Sequence, residues 1–490
     1  MLRPHPMNRL FLALALTAGF TGFAWGQTTA TSPVRIDLVS VYQAALANNA
    51  DLAAARAQFQ ATQEAVPQAR AGLLPQLGAE AEIASTRTEV DTSAGEEQFT
   101  RSGMRYQANL SQPLFNAERW FQLQAAQALS DQARYEFALA QQSLIQQTAD
   151  AYFSVLSSQD NLAASRAEES AFKRQLDQAN ERFEVGLSDR TDVLEAQAGF
   201  DTARANRMIA ERQVADAFQA LYTLTNQEYV ALEGLEHGLP VLPPIPNDAS
   251  AWVETAAQQN LNLLAANEAV EAAEETVRQR RAGHAPTVDA VASYQRGDND
   301  SLGFSNAGTT ASLGFVPRYD GEVEQASIGV QLSIPLYRGG LTRSQTREAF
   351  YLLDQAEQQR ESLRRQVVEN TRNLHRAVNT DVEQVQARLQ SIISSRSALE
   401  ATEIGYQVGT RNIVDVLDAQ RRLYAAVRDY NDARYSYILD NLRLKQAAGT
   451  LNPEDLTNLS DFLDPDYNPD TDFLPDDLPR LDDSIRATTN

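Results

Sequence analysis

The stretches "RFEVGLSDRTDVLEAQ" (residues 182–197) and "GYQVGTRNIVDVLDAQ" (residues 405–420) decide the fold, because they repeat one pattern within one chain. Both place Val-Gly after an aromatic residue and then continue with Asp-Val-Leu-x-Ala-Gln. Two such stretches indicate an internal repeat, which has to be recognised before any other assignment.

Two further pairs of motifs repeat in the same order. "RAGLLPQL" (70–77) returns as "RAGHAPTV" (281–288), and "LSQPLF" (110–115) returns as "LSIPLY" (332–337). The chain is therefore a duplication joined by a Pro-rich connector, since its prolines are incompatible with a continuous helix. We expect a signal peptide at 1–26, a first repeat at 27–227, the connector at 228–248, a second repeat at 249–450 and an acidic C-terminal tail at 451–490.

The N-terminus and the composition indicate the compartment. Arg3 and Arg9 precede the apolar run 10–20 and the small-x-small triplet 24–26, a pattern typical of a cleaved signal peptide that leaves Gln27 first. The formal net charge is −23, so we expect no nucleic-acid partner, because phosphate binding needs basic clusters. The chain contains no cysteine, which excludes disulfides and thiol catalysis.

Each repeat contains two alternating stretches and long helical runs. The alternation predicts strands at about 76–87, 105–113, 286–296 and 323–335, each with one apolar face, and exposed polar tips at 91–104 and 298–322. No Pro or Gly occurs from 116 to 185, which predicts a helix on the order of 100 Å long. The acidic, Pro-rich tail after Leu451 is expected to bury little.

Four one-sided strands raise a problem of closure. A sheet in a soluble sandwich would satisfy their pattern, but in a bilayer strands span only as a closed barrel, and the smallest such barrels have about eight strands. One chain cannot supply them, whereas a trimer would supply twelve. The sequence thus favours a barrel shared between copies and continuous with a hollow cylinder of helices.

The repeated motifs resemble the TolC family of outer-membrane efflux channels from about Ile36 to Leu451. The resemblance implies an α+β membrane protein: a trimeric 12-strand transmembrane β-barrel, four strands per chain, continuous with a long periplasmic α-helical barrel. It implies location in the outer membrane of a Gram-negative bacterium, in contact with its lipid. It also implies a periplasmic adaptor and an inner-membrane pump of the RND, ABC or MFS type as partners, exporting small molecules or proteins.

The resemblance assigns each quoted stretch to a helix–turn–helix tip at the periplasmic entrance. Gly186 and Gly409 would end one helix in the left-handed conformation, and Asp189 and Asn412 would cap the next. The residues that match the family's latch are Gln175, Thr191, Asp192, Glu403, Tyr406 and Arg411.

Two further groups belong to the same tips. Asp415 and Asp418 lie one helical turn apart, and around a threefold axis they would form a cation-attracting ring. The small residues of the two turns would admit the helical tip of an adaptor; the expected docking residues are Val185, Gly186, Leu187, Val408, Gly409 and Thr410.

An enzyme and a periplasmic structural or adaptor protein are the two alternatives to a channel. The histidines are scattered and no hydrolase, zinc-protease or nucleotide-binding motif is present, so we expect no catalytic residues, cofactor or metal. A periplasmic coiled-coil structural protein, or the adaptor of an efflux system, is the stronger alternative. An adaptor has one helical hairpin flanked by β domains, whereas here strands and helices repeat in tandem.

Overall fold

The computed structural model describes residues 35–93, 95–298 and 322–474. The expected signal peptide, most of the tip 298–322 and the tail beyond 474 lie outside these residues. The helices are α1 (Leu38–Asn48), α2 (Ala50–Gln63), α3 (Ala65–Ala71), α4 (Ala117–Glu184), α5 (Arg190–Thr225), α6 (Ala249–Gln259), α7 (Leu261–Ala282), α8 (Leu341–Gln407), α9 (Ile413–Ala448), α10 (Pro453–Ser460) and α11 (Pro469–Asp472). The strands are β1 (Gln76–Thr92), β2 (Gly95–Phe115), β3 (Gly234–Leu235), β4 (Thr287–Asp298), β5 (Glu322–Ser333) and β6 (Leu463–Asp464).

Two long helices, α4 and α8, form the length of the molecule. The predicted unbroken helix is confirmed as α4, which has 68 residues and begins after Asn116, whose side chain caps the backbone of Arg119. Helix α5 packs against α4, α9 packs against α8, and α4 and α9 join the two pairs. Large side chains of α4, such as Tyr152, Phe153 and Leu156, are buried in the main hydrophobic core.

The helices that precede the strands in each repeat are short and follow one another closely. Asn49 and Asn260 separate successive helices, and each side chain accepts a hydrogen bond from the backbone three residues further on. These asparagines adopt extended backbone and so act as caps rather than as helical residues. Among the described residues, no helix is both long and apolar enough to cross a membrane.

The four main strands form one antiparallel sheet in the order β1-β2-β4-β5. Its register places Leu77 opposite Leu110, Leu110 opposite Ala292 and Ala292 opposite Ile328, so the apolar positions of all four strands share one face. That face is open: Leu77 is 76% exposed and Ile328 is 90% exposed. The predicted one-sided strands are confirmed, and β1 and β5 are the free edges of the sheet.

The boundaries of the first hairpin were predicted wrongly. The segment 91–104 was expected to be a polar loop, but β1 and β2 stay paired as far as Thr92 and Gly95, so that most of the segment is strand. A two-stranded ribbon satisfies its backbone hydrogen bonds without an apolar face, and Thr and Phe in this segment favour extended backbone. Polarity alone therefore did not mark a loop.

The connector and the start of the C-terminal tail form a small second sheet in which β3 pairs with β6. Tyr467 lies directly over Gly234, where an added Cβ would stand 2.0 Å from the tyrosine ring. The expectation that this tail buries little is wrong for residues 451–474, because Leu456, Leu463 and Phe473 are buried. Its apolar residues are few, but each one enters the helical core.

Asp160 of α4 joins this segment to the long helices. It is 1% exposed and accepts hydrogen bonds of 2.6 Å from the hydroxyls of Tyr435 on α9 and Tyr467 in the C-terminal segment. Burial raises the pKa of the Asp160 carboxyl to about 6, although both hydroxyls lower it. The contact ties α4, α9 and the C-terminal segment to one buried carboxyl group.

Candidate functional site

The two hairpin turns have the same backbone. Gly186 has φ of 78° and Gly409 has φ of 79°, a left-handed conformation that glycine adopts without strain. In the first turn Leu187 N donates to Arg182 O at 2.8 Å, and in the second Thr410 N donates to the matching Gly405 O at 2.8 Å. No atom lies within 4 Å of a Cβ built on either turn glycine, so the dihedral angle rather than crowding requires glycine.

The helices that follow the turns are capped as predicted. Asp189 accepts a hydrogen bond from Asp192 N at 3.0 Å, and Asn412 accepts one from Asp415 N at 2.8 Å. In the second turn the Asp415 carboxylate also accepts from Asn412 N, which completes a capping box. All six expected docking residues of the two tips are exposed to solvent.

Tyr406 connects the two hairpins. It is only 6% exposed, and the guanidinium of Arg182 lies over its ring at 4.8 Å from the centroid, in a cation–π contact. Burial raises the pKa of the Tyr406 hydroxyl; the charge of Arg182 lowers it, and that of Asp192 raises it. Within the described part of the chain, this hydroxyl has no hydrogen-bond partner.

Asp192 faces the same contact from the first hairpin. Burial raises the pKa of its carboxyl, the neighbouring charge of Asp189 raises it further, and Arg182 lowers it. Thr191, the other expected acceptor on this helix, is exposed. The structure therefore brings Asp192, Arg182 and Tyr406 together within one chain.

A second group of latch residues lies further from the turns. Gln175 is 9% exposed and its side-chain oxygen has no partner among the described residues. Burial raises the pKa of the Glu403 carboxyl; a hydrogen bond from Gln420 lowers it, the charge of Glu400 raises it, and Arg174 lowers it.

Arg411 does not reach the first hairpin within one chain. Its guanidinium lies 3.8 Å from Asp415 in the first turn of α9, and its stem covers Gly405, where an added Cβ would stand 2.7 Å from Arg411 Cγ. Asp418 is paired similarly, at 2.9 Å from Arg421. Both residues of the expected carboxylate ring therefore have an arginine neighbour in their own hairpin.

Sequence reasoning missed Arg182 and Gln420. Arg182 has no residue of its own kind in the second copy, because Gly405 occupies the matching position. This difference was visible in the aligned motifs, and it could have marked Arg182 as a residue that acts in one hairpin only. Gln420 ends the quoted motif in both copies, so nothing in the sequence distinguished it from Gln197.

Comparison with known proteins agrees with this architecture. The family described as outer membrane efflux protein matches residues 41–227 and 252–450, which correspond to the two repeats. The outer membrane protein TolC of Vibrio cholerae serotype O1 is 39% identical over 424 residues, covering 86% of this chain and 93% of that protein. The alkaline protease secretion protein AprF of Pseudomonas aeruginosa is 29% identical, covering 86% of each chain.

The solved structure of the outer membrane protein VceC from Vibrio cholerae has the same fold. It superposes with a TM-score of 0.71 at 19% sequence identity, covering 84% of this chain and 96% of that one. These relatives are channel proteins rather than enzymes, and the adaptor alternative is set aside because the family match spans both repeats. The chain therefore belongs to the outer membrane efflux protein family, as a TolC-family channel protein of the Gram-negative outer membrane.

Proposed function

We propose that three copies of this chain close into one channel-tunnel that exports substrates across the outer membrane. The observation that carries the proposal is the four-stranded sheet with an exposed apolar face and two free edges, β1 and β5. An open edge in a bilayer leaves backbone groups without partners, so the edges have to pair between copies. Three copies would provide a 12-strand barrel above a cylinder of long helices.

The helical tips would form a gated entrance at the periplasmic end. The Tyr406 hydroxyl and the Gln175 side-chain oxygen are buried without partners within one described chain. Buried polar groups are normally paired, which supports partners on a neighbouring copy. In the closed trimer, Arg411 and Tyr406 would reach acceptors such as Thr191 and Asp192, and Glu403 and Gln175 would form the second latch.

Asp415 and Asp418 would line the mouth of the entrance. Around a threefold axis they supply six carboxylates, which attract cations and repel anions. Their arginine neighbours are exposed, so water screens those pairs and leaves much of the negative potential in place.

The exposed tips would be the docking surface of a periplasmic adaptor. The adaptor would connect the tunnel to an inner-membrane pump of the RND, ABC or MFS type. The relatives named for efflux and for protease secretion support small molecules and proteins as the two classes of cargo.

The test uses the absence of cysteine from the chain, so that every disulfide comes from introduced residues. Pairs of cysteines are placed on the two edge strands, at Leu77 or Ala79 of β1 and at Val330 or Leu332 of β5, and oxidised in membranes. We expect one pair to give a covalent ladder that ends at three chains. Ladders that continue beyond three chains, or no cross-link from any pair, would refute the closed trimer.

A further inference from the structure

A basic cavity opens on α8 beside the start of α6, far from the entrance and the sheet. Its volume is about 540 Å³, and four arginines line it: Arg364, Arg365, Arg372 and Arg376. The only acidic side chain in the lining is Glu369. This concentration of positive charge is unusual in a chain whose formal net charge is −23.

The arginines of the cavity are only partly compensated. Arg364 and Arg365 both pair with Glu361, at 2.7 and 2.9 Å, and so share one carboxylate outside the lining. No carboxylate of residues 35–93, 95–298 or 322–474 lies within ion-pair distance of Arg372 or Arg376 in this structure. Arg376 donates one hydrogen bond to the side-chain oxygen of Asn373, a neutral group that leaves its charge uncompensated. The charges of both guanidinium groups are thus available to an external anion.

The N-terminus of α6 lies beside the arginines but is already capped. Ala249, the first residue of this helix, lines the cavity, and the carboxylate of the preceding Asp248 accepts a hydrogen bond from Ser250 N at 2.9 Å. This carboxylate offsets the partial positive charge of the helix end. The positive charge of the cavity therefore comes from its arginines, whose forked N–H groups suit oxyanions.

The position of the cavity excludes the headgroups of the surrounding bilayer as its ligand. Helix α8 starts at Leu341, just after β5, and the arginines lie roughly 35–50 Å further along it at 1.5 Å per residue. With the sheet in the outer membrane, as proposed above, that distance places the cavity in the aqueous layer outside the bilayer. The ligand has to be water-borne.

We infer that this cavity binds a soluble polyanion that carries several adjoining phosphate or carboxylate groups. Arg372 and Arg376 would bind it through paired N–H donors, and Arg364 and Arg365 would supply further charge. A volume of about 540 Å³ is in the range of small-molecule sites.

The test is calorimetric titration of the full mature protein in detergent at low ionic strength. Tripolyphosphate and citrate are the two probes, and the tighter of them identifies the phosphate or the carboxylate class. We expect Arg372→Gln combined with Arg376→Gln to weaken binding of that probe at least tenfold, because two charge-assisted contacts are lost. The matched control is Arg212→Gln, which removes an exposed arginine paired with Asp216 on α5 and should leave binding unchanged.

A variant that strengthens binding separates the site from general damage to the fold. Glu369→Gln removes the one carboxylate of the lining and should tighten binding about two- to fivefold, as expected for one exposed charge. If the parent binds neither probe, or if the double arginine variant binds as tightly as the parent, the assignment is wrong.

Discussion

The two hairpins have the same backbone conformation but carry different side chains. Their turn glycines, their caps and the hydrogen bonds that close their helices match position by position. Among the matched pairs that differ are Arg182 and Gly405, Phe183 and Tyr406, and Ser188 and Arg411. Duplication thus kept the turn and changed the side chains, so that a phenol from one hairpin meets a guanidinium from the other.

This difference separates the residues that shape each turn from the residues that join the two hairpins. The turn needs only a glycine and a capping residue, and both copies have them. The contact of Arg182 with Tyr406 takes one member from each copy, and the matching positions hold Gly405 and Phe183 instead.

The largest effect is expected from the shared glycines. Gly186→Arg or Gly409→Arg places bulk and charge on an exposed tip and should abolish export by blocking the adaptor, while trimers persist in the membrane. Export assays combined with detection of trimers check this outcome. The matched controls Gly186→Ala and Gly409→Ala carry a similar left-handed strain of about 1–2 kcal/mol without the bulk, and they should retain most export.

The next effect comes from making the second hairpin resemble the first. Tyr406→Phe combined with Arg411→Ser should raise single-channel conductance without disturbing trimers, because bonds between copies, each about 1.5–3 kcal/mol, are lost in every copy. Neither the Tyr406 hydroxyl nor Arg411 reaches the other hairpin within the described chain. Conductance equal to that of the parent would therefore place the latch elsewhere.

A smaller effect is expected from the contact inside one chain. Arg182→Gln removes the guanidinium over Tyr406, a loss of about 0.5–2 kcal/mol per copy, and should raise the open fraction in planar bilayers. Arg182→Lys is the conservative control, because it keeps a cation near the ring and should lie between the parent and Gln. An unchanged open fraction in Arg182→Gln would show that the contact does not hold the entrance.

The pH dependence should follow Glu403. Burial raises the pKa of this carboxyl above its ordinary value of 4.5, so the arrangement seen here binds the proton more tightly than a solvated carboxyl does. The stabilisation is fully present below that ordinary value and is lost as the pH rises through the raised pKa. Channel opening should therefore increase with pH, and Glu403→Gln should flatten the curve, leaving only the similar contribution of Asp192.

The smallest effect concerns the carboxylate ring. Asp415→Ala with Asp418→Ala should weaken block by multivalent cations added on the periplasmic side, by a few fold, because exposed charges contribute about 0.2–1 kcal/mol each. Glu195→Ala, in the first copy, is the comparison variant and should change the block less. Equal block in the parent, the double variant and Glu195→Ala would show that the second hairpin does not form the ring.

Local signals predicted most of the fold. Alternation identified four strands, and the run without Pro or Gly identified α4, because both depend on neighbouring residues alone. The burial of the C-terminal segment was predicted wrongly because it depends on partners far along the chain, such as Gly234, which contacts Tyr467. In the same way, the turn glycines could be predicted from the motif, whereas Arg182 over Tyr406 depends on how two hairpins pack.

The buried carboxyl of Asp160 has a consequence for the order in which parts of the chain pack together. Its two hydrogen-bond donors come from α9 and from Tyr467, which lies close to the end of the chain. A chain exported from its N-terminus delivers α4 well before Tyr467. Until Tyr467 arrives, the carboxyl group in the middle of α4 lacks one of its two hydrogen-bond donors. The C-terminal segment therefore completes the packing of a helix exported earlier, which delays assembly until that segment has crossed.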